Sequence, residues 1–356
     1  MGKFRKIRTL VVEDAPFVRK TISNLLSQDK DIEVVGTASD GVEALEAIDR
    51  LNPDVITMDV DMPIMDGITA VKHIMIKNPR PVVMLSGLSR YGSITLDALR
   101  LGAVDFFPKP EGISLTQLNK EIFRLHKKIK QAIYANIRAI KRAKFFGVKK
   151  VSTSLDGSTP IVVVIGAHAG SSGCLLRLLA RIELSLPISI IVLQDIDSHV
   201  LLPYVRELSA VLPWKIHTGI SSFIEPGHCY IASYEFAWQL VNSKDSLPPR
   251  LVPSVSSQYL NPLDQLIKKA TETFGSNLIV VLLSGNTSDG IDGVLEAKEK
   301  GVDVLILDPK ECVFSKTSEI ALKITELSPH SEHQICSFIG TKATKMLNNL
   351  KGDLHG

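Results

Sequence analysis

Cysteine is scarce in this sequence, and the four present, Cys174, Cys229, Cys312 and Cys336, stand far apart with no C-x-x-C pair. That excludes a zinc site of paired thiolates and a disulfide framework, and it leaves four reduced thiols. Long apolar runs are missing as well: stretches such as 279–283 fall well short of the roughly 20 residues that span a bilayer. The basic N-terminus runs into an acidic strand end rather than a signal-type apolar region, so a soluble, cytoplasmic chain is expected. No compositional bias marks disorder, collagen or a coiled coil. The formal net charge of +3 is small for 356 residues, although it is unevenly placed. A chain of this length fits two domains, each able to bury a core of its own.

What is present is organised around residues 56–67, I-T-M-D-V-D-M-P-I-M-D-G. The short run 54–58 delivers Asp59 to the end of a buried parallel strand, and Pro63 and Gly67 turn the chain away. In an open α/β sheet, ligands bind at that edge, where loops leave the carboxyl ends of the strands. A carboxylate there can be a metal ligand, a nucleophile or a helix cap, and its partners decide which.

Those partners come from a repeating unit. Residues 7–12 form an apolar strand ending in Glu13-Asp14, and Pro16 opens an amphipathic segment with Phe17, Val18, Ile22, Leu25 and Leu26 at helical spacing. The unit recurs at Glu33-Val34-Val35 with Asp40-Gly41, at 55–59, at 82–85 ending in Ser86-Gly87, and at 103–107 ending in Pro108-Lys109-Pro110. Five strands alternating with helices predict a doubly wound parallel sheet. The ends of strands one, three, four and five meet in such a sheet and gather Glu13, Asp14, Asp59, Ser86 and Lys109. Three carboxylates so close repel one another unless a cation joins them, and an oxygen-only site with open positions suits Mg²⁺. With that ion and Lys109 neutralising the charge, Asp59 can attack a phosphoryl group in line, and Ser86 can bond one of its oxygens.

Glu13-Asp14, Asp59 with Met62-Pro63 and Asp66-Gly67, Ser86-Gly87, Phe106 and Lys109-Pro110 together resemble the receiver domains of two-component response regulators, over residues 7–110. The resemblance implies a flavodoxin-like fold, phosphorylation on Asp59 by a histidine kinase, and Mg²⁺ held by Glu13, Asp14, Asp59 and the Asp61 carbonyl. It further implies that Ser86 and Lys109 sense the phosphoryl group, that Phe106 is an aromatic switch, and that the Lys109–Pro110 bond is cis.

Beyond the receiver, residues 120–150 hold eleven Lys or Arg against one acid, Glu121, with Ile122, Leu125, Ile129 and Ile133 on a helical stripe. This reads as the receiver's last helix running on into a long basic connecting helix. Its positive face suits an acidic partner surface, nucleic acid or membrane headgroups, or is simply solvated. Nucleic acid is not the expected partner, and a membrane only indirectly. The Ser- and Thr-rich stretch 151–160 is a flexible boundary. The expected division is a receiver at 1–112, a basic helical linker at 113–157, a second domain at 158–345 and a tail at 346–356.

The second domain is again α/β. Apolar strands at 161–165, 188–193, 278–283 and 302–307 predict another doubly wound, Rossmann-like parallel sheet whose edge collects His168, Asp195 and Asp289. The glycine-rich turn 166–173 is a weak phosphate-cradle candidate, because G-x-x-x-G-x-x-G is not the dinucleotide fingerprint. Five features resemble the catalytic domain of the chemotaxis protein-glutamate methylesterases: strand-G-A-x-x-G, the L-Q ending at Gln194, Pro226-Gly227-His228-Cys229-Tyr230-Ile231-Ala232, Asn261-Pro262-Leu263-Asp264, and S-G-x-x-x-D-G at 284–290. In that family the domain follows a receiver and a linker. Its serine, histidine and aspartate hydrolyse glutamate methyl esters on chemoreceptor helices and deamidate glutamines. Here His168 stands where the family has its serine, Asp195 where it has its histidine, and the aspartate is kept as Asp289. The oxyanion-side loops differ too, with Asn286-Thr287-Ser288 and Ser315-Lys316-Thr317 in place of G-M-G and G-M-P.

The resemblance, less its nucleophile and base, predicts an inactive esterase domain used as a phosphorylation-controlled binding module. Two alternatives stand beside it: an active methylesterase with a displaced pair drawn from Ser171, Ser172 and His199 with Asp289, and a receiver-driven nucleic-acid or membrane binder acting through 120–150. At the altered triad, a hydrogen-bonded His168–Asp195 pair is expected ahead of a metal held by His168, Asp195 and Asp289.

Overall fold

The computed structural model describes residues 5–87, 98, 101–109, 115–141, 161–242, 248–255 and 261–353, with the side chains of 108, 115–120, 199, 254–255 and 350–353 outside that description. The chain forms two compact units, Met1–Arg142 and Ala143–Gly356.

In the first unit five strands, β1 (Ile7–Val12), β2 (Ile32–Ala38), β3 (Val55–Asp59), β4 (Val82–Ser86) and β5 (Asp105–Pro108), form a wholly parallel sheet in the order β2-β1-β3-β4-β5. This is the flavodoxin-like order, and its switch point lies where β1 separates β2 from β3. β3 and β4 are buried along their whole length, as continuous apolar strands covered on both faces require. The helices Gly41–Leu51 and Gly67–Lys77 each start on an aspartate cap: Asp40 accepts from the Val42 and Glu43 amides, and Asp66 from the Thr69 amide.

The stripe of the basic segment packs inward. Helix Leu115–Ala132 buries Leu125, Ile129 and Ala132 with Ile22 and Leu26 of helix Pro16–Ser27 and with Val11, Val83, Leu85 and Phe107 of the sheet. The long connecting helix expected beyond it does not form within the described residues: the chain turns after Ala132 and makes only a single 3₁₀ turn at Ile137–Ala139. Ala139 is buried there, so apolar burial bends the chain back where helical periodicity alone would carry it onward. Residues 142–160, with the boundary expected at 151–160, lie outside the described residues.

The second unit holds a seven-stranded parallel sheet and a three-stranded antiparallel one. The parallel sheet contains β6 (Ile161–Ala167), β7 (Ile188–Gln194), β8 (Lys215–His217), β10 (His228–Ser233), β13 (Leu278–Leu282), β14 (Asp303–Leu307) and β15 (Pro329–His330) in the order β15-β14-β13-β6-β7-β10-β8. β9 (Ser222–Phe223), β11 (Phe236–Val241) and β12 (Arg250–Val255) make the antiparallel sheet. β6, β7, β10 and β13 are buried throughout, and the two outermost parallel strands have three and two residues. The order reverses between β7 and β13 around β6, so the ends of β6 and β13 flank the crevice where open sheets place their chemistry. Among the described residues no helix is long and apolar enough to cross a membrane.

Candidate functional site

Parallel pairing sets the ends of β1, β3 and β4 side by side, with Lys109 following β5. Glu13, Asp59 and Ser86 are buried there, while Asp14 is exposed. One carboxylate oxygen from each of Glu13, Asp14 and Asp59 lies within 4.8 Å of the others. Lys109 Nζ stands 2.8 Å from Glu13 Oε2 and 2.7 Å from Asp59 Oδ1. Burial holds the Glu13 and Asp59 carboxyls above their ordinary pKa against the pull of Lys109. Burial acts on Lys109 in the opposite sense, but its bonds to Asp59 and Glu13 prevail and raise it. Glu13 Oε2 is buried without an aligned hydrogen-bond donor. Two buried carboxylates sharing one ammonium beside an open third are an oxygen donor set that fits a hard divalent cation.

The loop after β3 shapes this pocket. Ile64 takes a left-handed φ of +64°, Gly67 donates to the Val60 carbonyl at 2.9 Å, and a Cβ on Gly67 would overlap the Asp59 carbonyl oxygen. Only glycine lets the helix start so close behind the acid. Ser86 Oγ bonds the Gly87 carbonyl at 3.3 Å, a weak local partner. Phe106 is buried on β5, and the Asp61 side chain is exposed on the loop. The structure thus gathers Glu13, Asp14, Asp59 and Lys109 directly and sets Ser86 on the adjoining strand end. The Lys109–Pro110 bond lies outside the described residues.

At the second sheet edge, His168 leaves β6 with only 2% of its surface exposed. Its Nδ1 lies 2.8 Å and its Nε2 3.3 Å from the Tyr234 hydroxyl, and the rings are 5.2 Å apart. Burial pushes the imidazole down to about 4, so it is neutral at physiological pH. Asp289, also buried, accepts from the amides of Leu263 (3.1 Å) and Asp264 (3.0 Å). It thereby caps helix Pro262–Phe274, whose own N-cap Asn261 makes no side-chain bond. Burial raises its carboxyl to about 6 despite those two donors.

The neighbouring loops close over His168. Ser284 Oγ accepts from the Phe314 amide at 2.9 Å. Thr317 Oγ1 accepts from the Thr287 amide at 3.0 Å and donates to the Thr287 carbonyl at 2.7 Å. A Cβ on Gly285 would come within 2.6 Å of His168 Cβ, so bare backbone is what lets the loops approach.

One expectation is corrected here. His168 pairs with Tyr234 and not with Asp195, which is exposed after β7 with its amide donating to the Ala167 carbonyl at 2.8 Å; a buried imidazole takes the partner buried beside it. The alternative of a displaced nucleophile–base pair needs the His199 side chain, and of its serines both have local partners. Ser171 is buried and donates to the His168 carbonyl, and Ser172 Oγ accepts from Gln194 Nε2 at 3.1 Å; the His199 side chain lies outside the described residues. For the less favoured metal alternative, the one grouping of metal-ligating side chains among the described residues is Glu13, Asp14 and Asp59, not His168, Asp195 and Asp289.

Comparison with known proteins gives both units a family. The model of the response regulator receiver domain matches residues 9–122, and that of CheB methylesterase matches residues 163–332. A protein-glutamate methylesterase/protein-glutamine glutaminase of Caldanaerobacter subterraneus subsp. tengcongensis is 33% identical over 318 residues, covering 83% of this chain and 85% of its own. The chain belongs to the CheB methylesterase family. A relative of the same description from Thermotoga maritima is 34% identical over 316 residues, covering 87% of this chain and 90% of its own. The crystal structure of the response regulator domain of Thermotoga maritima CheB is 48% identical, covering 37% of this chain and 99% of that one, with a TM-score of 0.35.

In this CheB-family chain, sequence reasoning overlooked Tyr234 and the amides of Leu263 and Asp264. Tyr234 lies two residues beyond the motif ending at Ala232, and nothing in its spacing ties it to His168. The basic helix also differs from its sequence signature. Lys128 pairs with Asp105 at 2.9 Å, Lys130 with Asp29 and Asp31 at 2.8 Å, and Arg124 with Glu121 at 3.2 Å. Much of its charge is answered inside its own unit.

Proposed function

We propose that this chain is a phosphorylation-controlled response regulator of a chemosensory pathway whose methylesterase-type domain binds a partner without hydrolysing it. The observation that carries the reading is the fate of the triad positions. His168, at the family's serine position, is buried against Tyr234 and offers no attacking hydroxyl, and each Asp289 oxygen accepts from an amide. The candidate partners are a histidine kinase as phosphodonor and the cytoplasmic helices of chemoreceptors.

In the receiver, Glu13, Asp14, Asp59 and the Asp61 carbonyl would hold Mg²⁺, which when bound supplies charge neutralisation for the phosphoryl oxygens. An Asp59 carboxylate oxygen forms the bond to phosphorus as the donor's bond to phosphorus breaks, and the leaving group keeps that electron pair. Lys109, already 2.7 Å from Asp59 Oδ1, moves its charge onto the phosphoryl oxygens, and the Ser86 hydroxyl gives up its weak Gly87 bond to reach one of them.

The decisive experiment is methanol release from methylated receptors, with and without acetyl phosphate and Mg²⁺. No release above the enzyme-free rate is expected in either condition, while acetyl phosphate labels the wild type and not Asp59→Asn. Release that disappears in Asp289→Ala would overturn the non-hydrolytic reading and leave the phosphoacceptor reading standing.

A further inference from the structure

We propose that Arg19 is a positioning residue for the phosphoacceptor pocket: its guanidinium holds the acidic turn after β1 so that Asp14 stands beside Glu13 and Asp59 as a ligand for a divalent cation. The proposal rests on the phosphoacceptor reading above and adds a residue to it.

The turn needs such a hold. Glu13 is buried and paired with Lys109 at 2.8 Å, but Asp14 is exposed, so packing does not orient its carboxylate. The helix that follows starts on Ala15, whose side chain makes no capping bond, and on Pro16, which has no amide hydrogen to give. The hold comes from one turn further on. Arg19 Nη1 donates to the Glu13 carbonyl and, at 3.1 Å, to the Asp14 carbonyl. Two consecutive carbonyls drawn to one nitrogen fix the planes of both peptides, and with them the directions in which the Glu13 and Asp14 side chains leave the chain. The other side of the turn is tied to β2, where the Glu13 amide donates to the Ala38 carbonyl at 3.0 Å.

The place of Arg19 is not that of an ordinary surface cation. It is the fourth residue of helix Pro16–Ser27, and a positive charge near a helix N-terminus is opposed by the helix dipole. Charge-assisted bonds to the two carbonyls offset that cost. Charge and hold also act on the pocket in opposite senses. A guanidinium close to the three carboxylates repels an incoming Mg²⁺, so through charge alone its removal would tighten Mg²⁺ binding. Through the hold on the turn, its removal weakens that binding.

The test is isothermal titration calorimetry of Mg²⁺ into the full chain, with phospholabelling by acetyl phosphate at saturating Mg²⁺ beside it. Arg19→Met, which keeps the aliphatic stem, should weaken Mg²⁺ by about tenfold, as loss of a group that orients a metal ligand commonly does. Its labelling at saturating Mg²⁺ should stay near the wild-type rate. Both bonds come from a single nitrogen, so the ammonium of Arg19→Lys should restore most of the lost affinity. Arg19→Gln repeats the neutral comparison if Arg19→Met does not fold. Unchanged or tighter Mg²⁺ binding in the neutral variant, or an Arg19→Lys variant no better than it, would overturn the positioning role even where the unfolding midpoint falls. A wild-type chain that neither binds Mg²⁺ nor takes label would overturn the phosphoacceptor reading and this proposal with it.

Discussion

At the scale of single residues, the buried His168 and Asp289 have a measurable pH signature. Asp289 is raised to about 6 in the folded protein, so the folded state holds its proton more tightly than the unfolded chain does. Its contribution therefore makes stability fall as pH rises from about 4 to 6. His168 is lowered to about 4, so the unfolded chain binds its proton more tightly, and its contribution makes stability rise over about pH 4 to 6.5. Each effect is worth up to about 3 kcal/mol, and the two largely offset each other. Urea unfolding monitored by circular dichroism should expose them separately. Relative to wild type, Asp289→Asn gains stability with rising pH over this range and His168→Gln loses it. Identical slopes in all three proteins would contradict the buried, oppositely shifted pair. The receiver has its own test in Gly67→Ala, which forces a methyl into the Asp59 carbonyl. A loss of about 3 kcal/mol is expected on overpacking of this kind, read as a lower unfolding midpoint together with weaker phospholabelling.

The proposed non-hydrolytic reading carries a test at the same residues. The double variant His168→Ser with Asp195→His, which on the proposed reading reinstates the family's side chains, leaves Tyr234 beside position 168 and Asp289 capping its helix. Methanol release from methylated receptors should remain at the enzyme-free rate, and recovery of activity in the double variant would show that the site is more open than the geometry allows.

Among the elements, the helix Leu115–Ala132 illustrates both what a sequence reveals and what it conceals. Its apolar stripe was legible as a packing face because periodicity survives in any context. Its cations read as an open surface because their partners, Asp29, Asp31 and Asp105, lie far away in sequence and meet them only in the folded unit. The strength of the helix lies in the stripe. Ile129→Ala should cost the receiver unit about 3 kcal/mol, whereas Lys130→Ala should cost under about 1 kcal/mol, both read from thermal unfolding. A larger loss from Lys130→Ala would mean that the ion pairs, not the burial, hold this helix. Elsewhere β1, β3 and β4 of the receiver and β6, β7, β13 and β14 of the second unit are legible as apolar runs, while β2 is interrupted by Glu33, Gly36 and Thr37. β10 is hidden in the sequence because H-C-Y-I-A-S mixes polar and apolar residues. The antiparallel strands were invisible, since β9 is two residues long and β12 contains a proline.

For the molecule as a whole, the acidic pocket was legible because its residues sit at strand ends, and topology alone brings strand ends together. The contents of the second site were not, because the Tyr234 hydroxyl and the amides of Leu263 and Asp264 reach His168 and Asp289 across 66, 26 and 25 positions. No short-range pattern reports such meetings. On the function proposed above, the gathered acids of the receiver and the buried His168 edge of the second unit make a chain that takes up phosphate without cleaving an ester.

The rims of the large parallel sheet carry one more consequence. β8 and β15, at its two borders, offer three and two residues, too few main-chain donors and acceptors to template an incoming chain. Strand addition is therefore disfavoured at both borders of the parallel sheet, and a ladder in this unit would have to start from the six-residue border strand β11 of the antiparallel sheet.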